Sequence, residues 1–188
     1  MPTSPEEHAK GSGDAPLVLE EYGDFECPYC KHAYPVLRAL LDGHDRLVQF
    51  IYRHYPDPGT HPNSQMTAEA AESAAAQGKF WQFHDLVYTR TGELNGKVLV
   101  GFAQRLGLDL PRFNQDLELR VHEARVAQDI ETALSRGVRG TPGFFLNGTR
   151  IDTSFGLRHL RDAVRAGLAN LNTPAPERGV LASVPYQR

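Results

Sequence analysis

The chain has 188 residues, 40% hydrophobic and 23% charged, which suits one globular domain with a real core and excludes a disordered segment. Its net charge of −3 comes from 20 basic and 23 acidic side chains, the basic ones scattered. That balance gives no footprint for nucleic acid or an anionic membrane surface, and neither is expected as a partner.

The longest apolar-plus-glycine run, Val98 to Ala103, is far short of the ~18 residues that span a bilayer. The start, Met1 to Glu7, is polar and acidic and does not read as a signal peptide, so the expected location is the cytoplasm. Pro2 to Pro16 is rich in Pro, Gly, Ser and charge and reads as a loose arm. Leu17 to Tyr22 predicts a short buried strand, stopped by Gly23-Asp24. From about Cys27 to Asp42 the pattern turns helical, with Cys30, Ala33, Leu37, Leu40 and Leu41 on one face and Gly43 as C-terminal cap. Pro28 suits the first turn, where its missing N–H costs nothing. Pro35 lies inside the pattern and predicts a kink.

Leu47 to Tyr52 predicts a second strand. A helical block follows: Pro62 to Gln77, Phe80 to Tyr88, Val98 to Leu106, Pro111 to Leu117 and His122 to Arg136. The last carries Val126, Ile130, Ala133 and Leu134 on one stripe. Gly143 to Leu146 and Thr149 to Ile151 read as strands around Asn147-Gly148, the strongest short hairpin signal. Leu157 to Leu171 is a final amphipathic helix, and Asn172 to Arg188 shows no periodicity. The order predicts an α/β domain with one mixed sheet and the helical block as an insertion.

Cys27 and Cys30 are the two cysteines of the chain, separated by Pro28-Tyr29 where a strand hands over to a helix. A pair closing so short a loop is not a disulfide framework, and in a reducing compartment it reads as redox chemistry or a metal site. The thiolate is the attacking species in disulfide exchange, and a helix N-terminus stabilises it with free N–H groups and a positive dipole end. Cys27, at the open end, is therefore the expected nucleophile, held as an exposed, easily ionised sulfur. Cys30, one turn inside on the apolar face, is the expected resolving thiol.

Three other readings compete. Structural zinc wants four ligands, and His32 is the sole neighbouring candidate. Covalent haem wants His directly after the second Cys, where Lys31 stands. Two inert buried thiols remain open, although Pro-Tyr at a helix start argues against them. Elsewhere His54, His84 and His122 read as packing or surface residues, and Phe80, Trp81 and Phe83 as core. No metal and no cofactor are expected. Thr141-Pro142 before an apolar strand reads on its own as loop punctuation, since most X–Pro bonds are trans.

Taken together, Glu21-Tyr22-Gly23-Asp24-Phe25-Glu26-Cys27-Pro28-Tyr29-Cys30 and Gly140-Thr141-Pro142 resemble the DsbA-like branch of the thioredoxin superfamily. So do Arg53-His54-Tyr55-Pro56, His61-Pro62, Gln77 to Trp81 with His84-Asp85, and the Asn147-Gly148 turn, over roughly Asp14 to Leu171. The resemblance implies a thioredoxin fold in a single domain over 1–188. Its core covers about 14–60 and 138–171, with a helical insertion over about 61–137 and arms at 1–13 and 172–188. It implies a thiol–disulfide oxidoreductase with Cys27 and Cys30 catalytic. Pro28, Tyr29, Thr141, Pro142 and Glu21 would support them. Thr141-Pro142 would be cis and present backbone to extended substrates. Glu21 would be a buried acid exchanging protons with the inner thiol.

Expected partners are protein or peptide disulfides and thiols, with glutathione or another thiol system as electron donor. The sequence departs from the branch's exported oxidants, which carry histidine in the spacer where this chain has Tyr29. In a reducing cytosol the pair should rest as a dithiol and act as a reductase. The alternative is a non-catalytic redox-sensing or protein-interaction module on the same fold.

Overall fold

A computed structural model describes residues 8–171. Strand β2 (Leu17–Gly23) leads into helix α1 (Pro28–Leu41) and strand β3 (Val48–His54). Five helices follow: α2 (Ser64–Ala75), α3 (Phe80–Thr89), α4 (Gly96–Arg105), α5 (Leu110–Glu118) and α6 (Glu123–Ser135). The chain then returns through β4 (Gly143–Leu146), β5 (Thr149–Ile151) and α7 (Arg158–Leu171). The helices and long strands predicted from periodicity are all present, with ends moved by up to two residues. Helix α1 continues through Pro35.

One element was not foreseen. His8–Lys10 forms strand β1, antiparallel to β3, where the sequence reads as a loose arm. Three residues are too few for a period-two pattern to show. What holds them is tertiary: the His8 ring stacks on Phe80 at 3.4 Å, and Ser12 N–H donates to Asp45 O at 2.7 Å. Gly11, at φ +98, crosses so close to β3 that a Cβ there would stand 2.4 Å from Val48 O. The part of that predicted arm before residue 8, and the 172–188 tail, lie outside the described residues.

The sheet order is β1-β3-β2-β4-β5, with β2 and β3 parallel and the other pairs antiparallel. Parallel pairing of β2 with β3 needs a crossover, which α1 supplies. The β4–β5 connection is the predicted tight turn, with Asn147 at φ 47 and Gly148 at φ 78, as a two-residue hairpin requires. Asn147 also docks the turn, its Oδ1 accepting from Val18 N–H at 2.7 Å.

Alternation along β2 sorts the two faces. Leu17 and Leu19 join Phe50, Tyr52 and Phe144 against α1, α3 and α7. Tyr22 points the other way, with Phe145, Val138 and Ala133 of α6. Helix α2 is buried over most of its surface, with Ala68, Ala70, Ala71 and Ala74 letting its neighbours approach closely.

The buried stripe of α6 differs from the expected one. Val126 and Ala133 are buried as foreseen, but Leu134 is 46% exposed and Asp129 is 1% exposed. Asp129 Oδ2 accepts from His54 N–H at 2.9 Å, and its Oδ1 lies 2.7 Å from Arg125 Nη1. An apolar count cannot foresee this, because here a charged acceptor binds the helix to a strand end.

Removing one partner of a buried ion pair leaves the other unpaired. Asp129→Ala should therefore lower stability by about 3–5 kcal/mol in urea unfolding. Leu134→Ser, on the exposed side of the same helix, should cost no more than about 0.5 kcal/mol.

Candidate functional site

The end of β2 and the start of β4 are fixed side by side, because Tyr22 pairs with Gly143. That register brings the loop before α1 against the loop before β4. Cys27 and Thr141, 114 positions apart, meet there, with Cys27 Sγ 3.4 Å from Thr141 O. The Thr141–Pro142 peptide is cis.

Cys27 is the N-cap residue of α1, and Pro28 opens the helix. The loop ahead of it is tied by Asp24, which is fully buried. Asp24 Oδ1 accepts from Glu26 N–H at 2.8 Å, and its Oδ2 accepts from Asp57 N–H at 3.0 Å. His61 Nδ1 lies 2.8 Å from the same Oδ2. Glu26 Oε2 accepts from Asn63 N–H at 2.6 Å. The loop is thus bound to the segment leading into the helical insertion.

The two sulfurs are unlike. Cys27 falls from the ordinary 9.0 to about 5, above all because the Cys30 thiol donates a hydrogen bond to it. Burial opposes this, while Thr141 and the backbone N–H groups of Cys30 and Tyr29 assist. Cys30 is pushed well above the ordinary thiol value by burial, by that same bond and by nearby Glu21. A helix N-terminus therefore acts on one sulfur of the pair.

Cys27 is not the open sulfur expected from the sequence. The residue is 3% exposed and Cys30 1%. The Thr141 loop lies across it, while Tyr29 projects outward at 73% exposure. Cover by a loop from the far end of the chain is invisible in a spacing. The ionisation half of the expectation is met.

Glu21 lies on the same face of β2 as Leu17 and Leu19. Burial, then the negative charge of Cys27, raise its carboxyl from 4.5 to about 8. A cleft of about 820 Å³ between α1 and α3 reaches Glu21 and Cys30 past Tyr34, Trp81 and Tyr88. Behind them Tyr52 and Tyr88 share a 2.9 Å hydrogen bond, and Tyr88 donates to Asp24 O at 3.5 Å.

All the sequence candidates converge except Pro28 and Tyr29, which face solvent. Asp24, Glu26, His61 and Asn63 were missed as loop supports. Asp24, Glu26 and His61 fall within the segments that carried the resemblance, but their spacing alone points to no role. Of the histidines set aside, His84 is buried beside Asp85 at 3.0 Å, and His122 lies 3.4 Å from Asp116. His54 is fully buried with His8 and Glu72.

A family model described as Thioredoxin matches residues 3–166. A thioredoxin-like oxidoreductase from Silicibacter pomeroyi DSS-3 is similar at 26% identity and TM-score 0.76, covering 92% of this chain and 95% of that one. Oxidised BdbD from Bacillus subtilis shares the fold, with TM-score 0.77 at 19% identity over 89% of this chain and 96% of its own.

A curated relative of another kind is the Na(+)/H(+) antiporter NhaA 1 of Salinispora arenicola (strain CNS-205). It is 43% identical over 170 residues, which is 90% of this chain and 26% of the antiporter. The chain thus spans about a quarter of the length of the curated relatives it matches. Among the described residues no helix is long and apolar enough to cross a membrane. By its family match over most of its length, and by its sheet, the chain belongs to the thioredoxin family.

Proposed function

We propose that the protein catalyses thiol–disulfide exchange with protein or peptide partners through Cys27 and Cys30. The observation that carries this reading is the asymmetry of the pair, one thiol ionised near pH 5 and the other held protonated. In the first step the Cys27 thiolate attacks a partner disulfide. A Cys27–partner bond forms and the other partner sulfur leaves as a thiolate. In the second, Cys30 loses its proton and attacks Cys27, freeing the partner thiolate and leaving the Cys27–Cys30 disulfide. Two electrons pass to the partner. The backbone at Thr141 and Pro142 would pair with the extended substrate chain beside Cys27.

Glu21 would serve the second step. Its carboxyl is raised partly by the Cys27 anion, and a mixed disulfide removes that charge. Its pKa then falls as the Cys30 proton must leave, so an ionised base appears when one is needed. The same charge raises Cys30, and its loss eases that thiol's ionisation.

Direction follows from which form is stabilised. A stabilised Cys27 thiolate favours the dithiol over the disulfide and raises the potential of the pair, which limits it as a reductant to disulfides of higher potential still. The pair would therefore rest reduced in a glutathione-rich compartment, for which we propose the cytoplasm. There it would act as a reductase on strained or mixed disulfides, which have higher potentials than structural ones. Glutathione or another thiol system would restore it.

A second reading rests on the match to Na(+)/H(+) antiporters. There a segment like this chain occupies about a quarter of the protein, and the fold would act as a redox-sensing module beside a membrane domain. Insulin reduction with dithiothreitol separates the two. A catalyst should accelerate precipitation several-fold over the reductant alone, whereas a sensor should not. Cys30→Ser should accumulate covalent partner adducts on Cys27, and full turnover by Cys27→Ser would end the proposal.

The pH dependence gives a further check. A thiol lowered from 9.0 to about 5 is anionic throughout that interval. Iodoacetamide labelling of Cys27 should therefore rise around pH 5 and be flat by neutrality, while a free thiol would still be climbing. Glu21→Gln should leave this first rise in place and slow release of a trapped partner by about a hundredfold, the low end of the range for a lost general base.

A further inference from the structure

A second cluster of reactive side chains lies outside the thiol site. His8 on β1, His54 at the end of β3 and Glu72 on α2 are all buried, and their donor atoms lie within 4.8 Å of one another. His8 Nε2 is 2.7 Å from Glu72 Oε1. His54 Nε2 is 3.0 Å from the same oxygen, yet neither ring nitrogen of His54 makes a hydrogen bond of acceptable geometry. The distance is that of a contact, but the direction is wrong for an N–H donor. A fully buried imidazole without a bonded partner is costly. A separate cleft of about 550 Å³ opens on the cluster, lined by His8, Glu72, His122 and Arg125 among others.

We propose that His8, His54 and Glu72 form a binding site for a divalent transition metal of the zinc class. Two imidazoles and a carboxylate are borderline ligands suited to zinc rather than to calcium or magnesium, which prefer all-oxygen shells. Zinc bonds of about 2.0–2.1 Å at tetrahedral angles hold donor atoms about 3.3 Å apart. The two separations from Glu72 Oε1, 2.7 and 3.0 Å, would widen by about 0.6 and about 0.3 Å to reach that spacing. The metal would take the His54 nitrogen lone pair that no hydrogen bond now uses, and would displace to solvent the proton shared between His8 Nε2 and Glu72.

Three protein ligands leave a fourth position toward the cleft, for water or a small anion. Arg125, whose Nε is 4.0 Å from Glu72 Oε1, favours an anion there. Its own charge is balanced by Asp129, 2.7 Å from Nη1. The ligands come from three elements far apart in sequence. Bound metal would fasten the short edge strand β1 to both the sheet and the helical insertion. This inference does not depend on the redox reading.

The test uses the full-length chain with Cys27 and Cys30 oxidised to the disulfide, so that the thiols cannot hold the metal. Equilibrium dialysis against zinc chloride should give one zinc per chain. Cobalt(II) should give the intense visible bands of a tetrahedral site. His8→Ala and Glu72→Gln should each weaken zinc binding at least tenfold and abolish the cobalt bands. Metal should also raise the melting temperature of the parent by several degrees but not that of His8→Ala. His8→Ala, at an edge strand, serves as the deciding variant if Glu72→Gln does not fold. Absence of zinc uptake by the parent, or uptake undiminished in His8→Ala, would overturn the site and leave the three groups as a polar contact.

Discussion

The contact between two sulfur atoms at the start of α1 is the constraint around which the rest of the site is arranged. One hydrogen bond moves the two thiols in opposite directions, because donating it stabilises the Cys27 anion and binds the Cys30 proton. The polarity of the pair comes from position. Cys27 stands at the N-cap, where backbone N–H groups are free, and Cys30 lies one turn in, packed with Leu37 and Tyr52 in the core. Exchanging the two positions would exchange their chemistry.

Such an arrangement works only if the sulfur stays where the helix begins. The parallel β2–β3 pair fixes the strand end, and the Tyr22–Gly143 register delivers Thr141 to the opposite side. Asp24 then closes the loop with two backbone hydrogen bonds and a contact to His61. Asp24 satisfies three polar neighbours, whereas burial and a nearby anion raise Glu21. Two buried acids three positions apart thus take different parts, one structural and one protonic.

The portion of this that sequence could reveal is the portion written locally. Cys27-Pro28-Tyr29-Cys30 at a strand-to-helix junction, the Asn147-Gly148 hairpin and the period of α1 each depend on neighbours within a few residues. They were legible for that reason, and the sheet followed from connection rules. Strand β1 was not legible, because three residues carry no period and its anchors, Phe80 and Glu72, lie more than sixty positions away. The cover over Cys27 and the polar stripe of α6 failed for the same reason. In each, a partner from a distant element decides whether a side chain is buried.

The helical insertion shows how much of the fold is set by such distant partners. Its alanine-rich α2 is buried on nearly every side, yet it carries Glu69 and Glu72 into the interior. Glu69 is met by Arg120 at 2.7 Å, and Glu72 by His8 and His54. On α6, Asp129 takes the backbone N–H of His54. Apolar packing alone would hold these helices against the sheet in several near-equal rotations, since alanine surfaces are smooth and non-directional. Buried acids remove that freedom, because each helix rotation but one leaves a charge without its partner. His54 is where the constraints meet, its backbone held by α6 and its ring set against α2. Since β3 pairs with β2 up to Gly23–His54, the orientation of the insertion is carried to the strand end that launches the Cys27 loop. The insertion is thereby part of the frame that keeps the reactive sulfur in place.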